Sequence, residues 1–119
     1  MSNSAKSVFV FGVYLVGLAL ILLISPNTLF GLFGLPSSTE AWPRVVGMLA
    51  FWLGYYYIQS ARTGLTDMFR WSVHARSLVI VFFTAFVLLG FAPAPLILFG
   101  VVDLLAAIWT ALCLRAESA

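Results

Sequence analysis

The chain has 119 residues, 63% of them hydrophobic and 8% charged, with a mean hydropathy of +1.10. A soluble domain of this size cannot hide so much apolar surface, so the composition excludes a water-soluble fold and makes lipid the solvent. The net charge of +2 comes without a Lys/Arg-rich run or aromatic–basic interleaving, which excludes a nucleic-acid partner, and the single cysteine, Cys113, excludes an intrachain disulfide or a dithiol pair.

Residues 1–7 are polar and include Lys6. Residues 8–24 form an apolar run about 25 Å long as a helix. No small-residue cleavage site follows it and three more apolar segments do, so it reads as a retained first span rather than a secretion signal. Ser25-Pro26 ends this span and also starts a helix, with Ser25 as N-cap and Pro26 in the first turn. The stretch 27–33 is therefore predicted as a short helix, too short to cross a bilayer and lying at its interface. A polar loop leads to Trp42-Pro43, which opens a second span over about 43–62. Within it Gly47, Gly54 and Ala61 recur every seven residues, a small-residue seam that lets another helix approach closely. Gly64 closes this helix, and Asp67 is an N-cap for the next. The third span covers about 72–91 and ends at the rigid turn Ala92-Pro93-Ala94-Pro95. The fourth covers 96–114.

The expected fold is thus all-α: an integral membrane up-down four-helix bundle, one domain over 1–119, with a short interfacial helix between spans 1 and 2. Four spans put both termini on one side. That side carries Lys6, Arg62, Arg70, Arg76 and Arg115, against Arg44 alone on the other. The asymmetry places both termini in the cytoplasm.

Asp103 is the acid inside the last span, where an ionisable group costs roughly 3 kcal/mol on insertion scales. Gly100, Ala107 and Thr110 share its helical face, so it is predicted to point into a close seam between the second and fourth spans. Arg44 enters from the same side, and Tyr55 lies three turns below it on the same face. One reading joins Arg44, Asp103 and Tyr55, with Trp52 as a further partner, into an outward-opening binding site for a polar headgroup, an ion or a proton. The other makes Asp103 a structural lock between two helices. A buried acid kept neutral is compatible with either.

Arg70, His74 and Arg76, with Arg62, read as a cytoplasmic basic collar of the positive-inside kind, or as a surface for anionic lipid or a partner. One histidine supplies at most one axial ligand to a haem. Tyr55-Tyr56-Tyr57 sweeps about 200° of its helix at 100° per residue, so at least one ring faces protein. Phosphate loops, metal-spaced ligand clusters and nucleophile–base pairs are absent from the sequence, which points to no catalytic residues, no metal and no cofactor.

Pro26 closing the first span, the Trp42-Pro43-Arg44-x-x-Gly47 entry, the Gly54-Tyr55-Tyr56 stretch, and Asp103 with Trp109 late in the last span together resemble the small bacterial four-helix membrane proteins grouped as DoxX-like. The resemblance covers nearly the whole chain and implies the same four-helix fold, multi-pass in a bacterial inner membrane. Some members are linked to quinone-coupled thiol oxidation; this chain has no cysteine pair, so that activity is not implied for it. Small multidrug transporters are similar in length but rely on an acid in the first span, and residues 8–24 contain none. The expected function is a non-catalytic accessory subunit or oligomeric scaffold of a membrane complex, with the bilayer and a homo-oligomer or larger membrane protein as partners. The alternative is a small transporter or a lipid- or quinone-binding protein using Asp103 with Arg44.

Overall fold

The computed structural model describes residues 1–118. Among them the chain is all-α: α1 (Asn3–Ile24), α2 (Pro26–Leu32), α3 (Trp42–Thr63), α4 (Thr66–Leu88) and α5 (Leu96–Ser118), with no strand. Ser2 caps α1, its hydroxyl accepting from the Ala5 amide. Ser25 occupies the N-cap position of α2, but its hydroxyl meets that of Thr28 at 2.6 Å rather than a backbone amide. Asp67 is not the cap of α4 that its position suggests. The helix already starts at Thr66, so Asp67 lies in the first turn and pairs with Arg70 at 3.2 Å. Gly64 and Gly90 adopt φ of +71° and +80°, the left-handed geometry that turns a chain out of a helix. Gly90 stops α4 at Leu88 instead of residue 91, with the Phe91 amide closing the turn on the Phe86 carbonyl.

Three helices, α1, α4 and α5, are long and apolar enough to cross a membrane. Helix α3 matches α1 in length, but its three tyrosines, Gln59 and Arg62 dilute its apolar character. Large apolar side chains cover the outer surface, among them Leu20, Leu49, Val81, Phe82, Leu105 and Leu112. Their exposure suits lipid and not water.

The most extensive packing joins α1 to α3. A Cβ added at Gly54 would lie 2.9 Å from the Gly12 carbonyl oxygen, and one at Gly47 would lie 3.1 Å from that of Ala19. The antiparallel register therefore sets Gly12 against Gly54 and Ala19 against Gly47, while Ala5 and Ala61 share one buried cluster farther along. On the other side α4 packs on α5, where Gly100 sits against the Cα of Ile80. The expected seam between the second and fourth spans does not form. The α3 stripe meets α1, and the α5 stripe meets α4. A periodic stripe of small residues defines a face without naming its partner, and α1 carries the matching stripe Ala5, Gly12, Ala19.

Helices α1 and α5 also touch, and the short α3–α4 connection brings those two helices together. The bundle is consequently tight at that end, around Phe11, Tyr57, Ala61 and Phe69. At the other end it splays. Helix α2 folds across the opening, burying Leu29 and Phe30 against Leu22. Asn27 fastens the following loop to it through two hydrogen bonds with the Ser38 backbone, at 2.8 and 3.0 Å.

Candidate functional site

Splaying leaves a cavity of about 440 Å³ beneath α2, within the usual range for small-molecule sites. Its walls are aliphatic and aromatic, including Leu18, Leu29, Phe30, Trp42, Phe83 and Phe99. Two ionisable side chains line it: Asp103 from α5 and Tyr14 from α1. Gly100, Ala107 and Thr110 are buried on the same face of α5, and Asp103 is half-buried where that face meets the cavity. Neither Asp103 nor Tyr14 makes a side-chain hydrogen bond with the described residues. Tyr14 is the one hydroxyl-bearing residue inside the apolar run 8–24, which is the signal by which the sequence marks it.

Arg44 does not join Asp103. Its Nε donates at 3.1 Å to the Leu23 carbonyl, one of the carbonyls left free at the end of α1, where a cation also complements the helix dipole. Tyr55 is exposed and accepts from Gln59 Nε2 at 3.3 Å, and Trp52 packs edge-on against it with ring centroids 5.9 Å apart. Arg44, Tyr55 and Trp52 belong to α3, which packs on α1 and not on α5, so the predicted constellation with Asp103 is not assembled.

The basic collar also divides. Arg62, Arg70 and His74 are exposed. Arg76 is 2% exposed, buried where α1, α3, α4 and α5 converge. It lies well inside α4, on the face that also carries Phe69 and Ser72, and charge near the start of an apolar run disguises this in the sequence. Its Nε donates to the Ser72 carbonyl at 3.2 Å. Its NH2 group uses both hydrogens, on Ser72 Oγ and Thr110 Oγ1, each at 2.9 Å. Ser72 Oγ donates onward to the Phe69 carbonyl, and Ser7 Oγ to that of Ser4. Each hydroxyl has one hydrogen, so in the 2.7 Å contact between Thr110 and Ser7, Thr110 is the donor. The guanidinium lies over the rings of Phe11 and Tyr57, at 4.8 and 5.8 Å from their centroids. Such contacts contribute about 2 kcal/mol when desolvated. The NH1 group has no hydrogen-bond partner among the described residues.

Asp103 and Thr110 are two turns apart on α5, about 10 Å along the axis. Arg76, Tyr57 and Tyr14 all stand within electrostatic reach of Asp103, although no ion pair joins Arg76 to it. Asp103 is the acid that acts on Arg76, a guanidinium otherwise held by neutral groups. At the far end Glu117 receives hydrogen bonds from the amide and the hydroxyl of Ser4, which hold its carboxyl below the usual glutamate range. No group of three or more metal-ligating side chains occurs among the described residues.

Comparison with known proteins gives no match to a family model, to a curated protein or to a solved structure. The likeness to DoxX-like proteins therefore rests on the sequence features that first pointed to it.

Proposed function

We propose that this chain is a four-span membrane protein that binds one lipid-like amphipath in the cavity beneath α2. The observation that carries this reading is an apolar, aromatic-walled space with an unpartnered acid, Asp103, on its lining. The α1–α3 contact supports α3 as the fourth span: a helix packed antiparallel along α1 through Gly47 and Gly54 shares the depth of α1. With Arg76 withdrawn into the bundle, Lys6, Arg62, Arg70 and Arg115 remain on the side of the termini against Arg44 on the other. That asymmetry still favours cytoplasmic termini, with α2 at the opposite interface, and the DoxX-like resemblance favours a bacterial inner membrane. Asp103 serves here as a ligand contact, without Arg44.

Native mass spectrometry of the protein released from mild detergent tests the reading. The wild-type chain should retain an adduct of lipid mass. Val46→Trp, which places an indole in the cavity from an otherwise exposed position, should lose the adduct while keeping its melting temperature. An adduct equally retained by Val46→Trp would place the ligand elsewhere.

A second reading, an accessory subunit or scaffold, draws on α3. Trp52, Tyr55 and Tyr56 form an exposed run of edge-packed rings facing away from α1, and aromatic side chains of this kind are enriched where membrane proteins meet partners or the interface. A stable complex with a second copy or another membrane protein, lost on Trp52→Ala/Tyr56→Ala, would favour it.

A further inference from the structure

Three polar features remain once the apolar walls of the cavity are set aside: Asp103 and Tyr14 on its lining, and Arg76 packed behind Phe11 and Tyr57. We infer that the cavity selects an uncharged hydroxyl headgroup on an apolar chain, held between the Asp103 carboxyl and the Tyr14 hydroxyl. This rests on the ligand-binding reading above and adds the chemistry of the headgroup.

Charge is the first argument. Asp103 and Arg76 lie within electrostatic reach of each other, and with Asp103 ionised their charges cancel. A cationic headgroup beside Asp103 would leave the Arg76 charge uncompensated in an apolar interior. An anionic headgroup would add a second negative charge beside Asp103. Either is costly where water is excluded. A neutral headgroup leaves the existing balance intact.

Hydrogen-bond valence is the second. A carboxylate only accepts, and a protonated carboxyl still keeps an accepting oxygen. The ligand must therefore bring a donor to Asp103 in either state. The Tyr14 hydroxyl is also without a partner and donates as well as accepts. A hydroxyl headgroup donates to Asp103 and accepts from Tyr14, so one small group satisfies both. An ether or ester oxygen satisfies Tyr14 alone. An ammonium satisfies Asp103 and offers nothing for Tyr14 to donate to.

The apolar body has room to match. A groove of about 450 Å³ adjoins the cavity across Tyr14, Leu18, Leu29 and Phe99 and is otherwise lined by Phe33 and by apolar residues of α1 and α5. A chain rooted at Asp103 can leave the cavity by that side.

The test uses the full chain in lipid nanodiscs and four matched probes at equal mole fraction: dodecanol, dodecyl methyl ether, dodecylammonium and dodecanoate. Native mass spectrometry reads the bound fraction. Dodecanol should exceed the ether by roughly tenfold in affinity, the effect of one hydrogen bond to a carboxylate. Asp103→Leu should bring alcohol and ether to the same level. Tyr14→Phe, which removes only the hydroxyl, should weaken dodecanol and narrow, without reversing, its preference over the ammonium. Equal binding of all four probes would overturn the headgroup assignment and leave the cavity a purely apolar site. Tightest binding of dodecylammonium would also overturn it, by showing that Asp103 acts as an unbalanced anion. Binding of none would remove the ligand reading itself.

Discussion

At the residue scale the two charges inside the bundle follow opposite logics. Asp103 is legible in the sequence because an acid in a long apolar run has no other explanation. Arg76 is not, because a basic residue near the start of an apolar segment reads as a collar at the membrane surface. What separates it from exposed Arg70 and His74 is its neighbours. Ser72 lies one turn earlier on the same face of α4, and Ser7 and Thr110 supply hydroxyls from α1 and α5. A network of this kind is measured by a double-mutant cycle. Thr110→Val removes the acceptor of one Arg76 hydrogen and should destabilise by about 1–3 kcal/mol, the cost of leaving a buried donor unmet. In an Arg76→Met background the same change should cost less than half as much, because no donor is then orphaned. Equal costs in thermal unfolding in detergent would show that the two side chains act independently.

At the scale of elements, helix count and order were readable from apolar runs and turn residues, and helix partners were not. The heptad stripe Gly47, Gly54, Ala61 marks the face of α3 that approaches another helix. Its complement is Ala5, Gly12, Ala19 on α1, which has the same spacing. Matching the two stripes, instead of pairing the α3 stripe with Gly100 and Ala107, assigns the observed neighbour. The close approach fixes a contrast between two glycines of the same helix pair. Even the methyl of Gly54→Ala meets the Gly12 carbonyl oxygen and Val16 at 2.9 Å, so the helices must shift, at a cost of about 1–3 kcal/mol. Gly17 faces open space, so Gly17→Ala should be neutral or stabilise by up to about 1 kcal/mol through helix propensity. Melting temperatures of the two variants, measured side by side, check both signs.

At the scale of the whole molecule the ends of the chain are fastened together. Ser4, near the start of α1, and Glu117, near the end of α5, join two helices that also meet through Ser7 and Thr110. Because the Ser4 hydrogen bonds lower the Glu117 pKa on folding, the clasp contributes fully above the unfolded glutamate pKa. It is lost as pH falls through the lower, folded value. Hydrogen exchange at the Ser4 amide, corrected for intrinsic rate, should therefore quicken on acidification below about pH 4, and Glu117→Gln should abolish that dependence. Orientation is tested at the same end. In a Cys113→Ser background, Ser2→Cys should resist an impermeant thiol reagent added outside intact cells and react after permeabilisation. None of the long-range closure was visible in the sequence, where Ser4 and Glu117 are polar residues in two ordinary tails.

The unequal packing along the bundle leaves the cavity closed toward the termini and continuous with the groove beside it. The cavity lies under α2, and toward the termini the interior is filled by Phe11, Tyr57 and a guanidinium seated among hydroxyls. On the ligand-binding proposal, the time a guest stays depends on how readily the Asn27 fastening of the loop after α2 yields, while the filled end of the bundle limits how much the chamber holds.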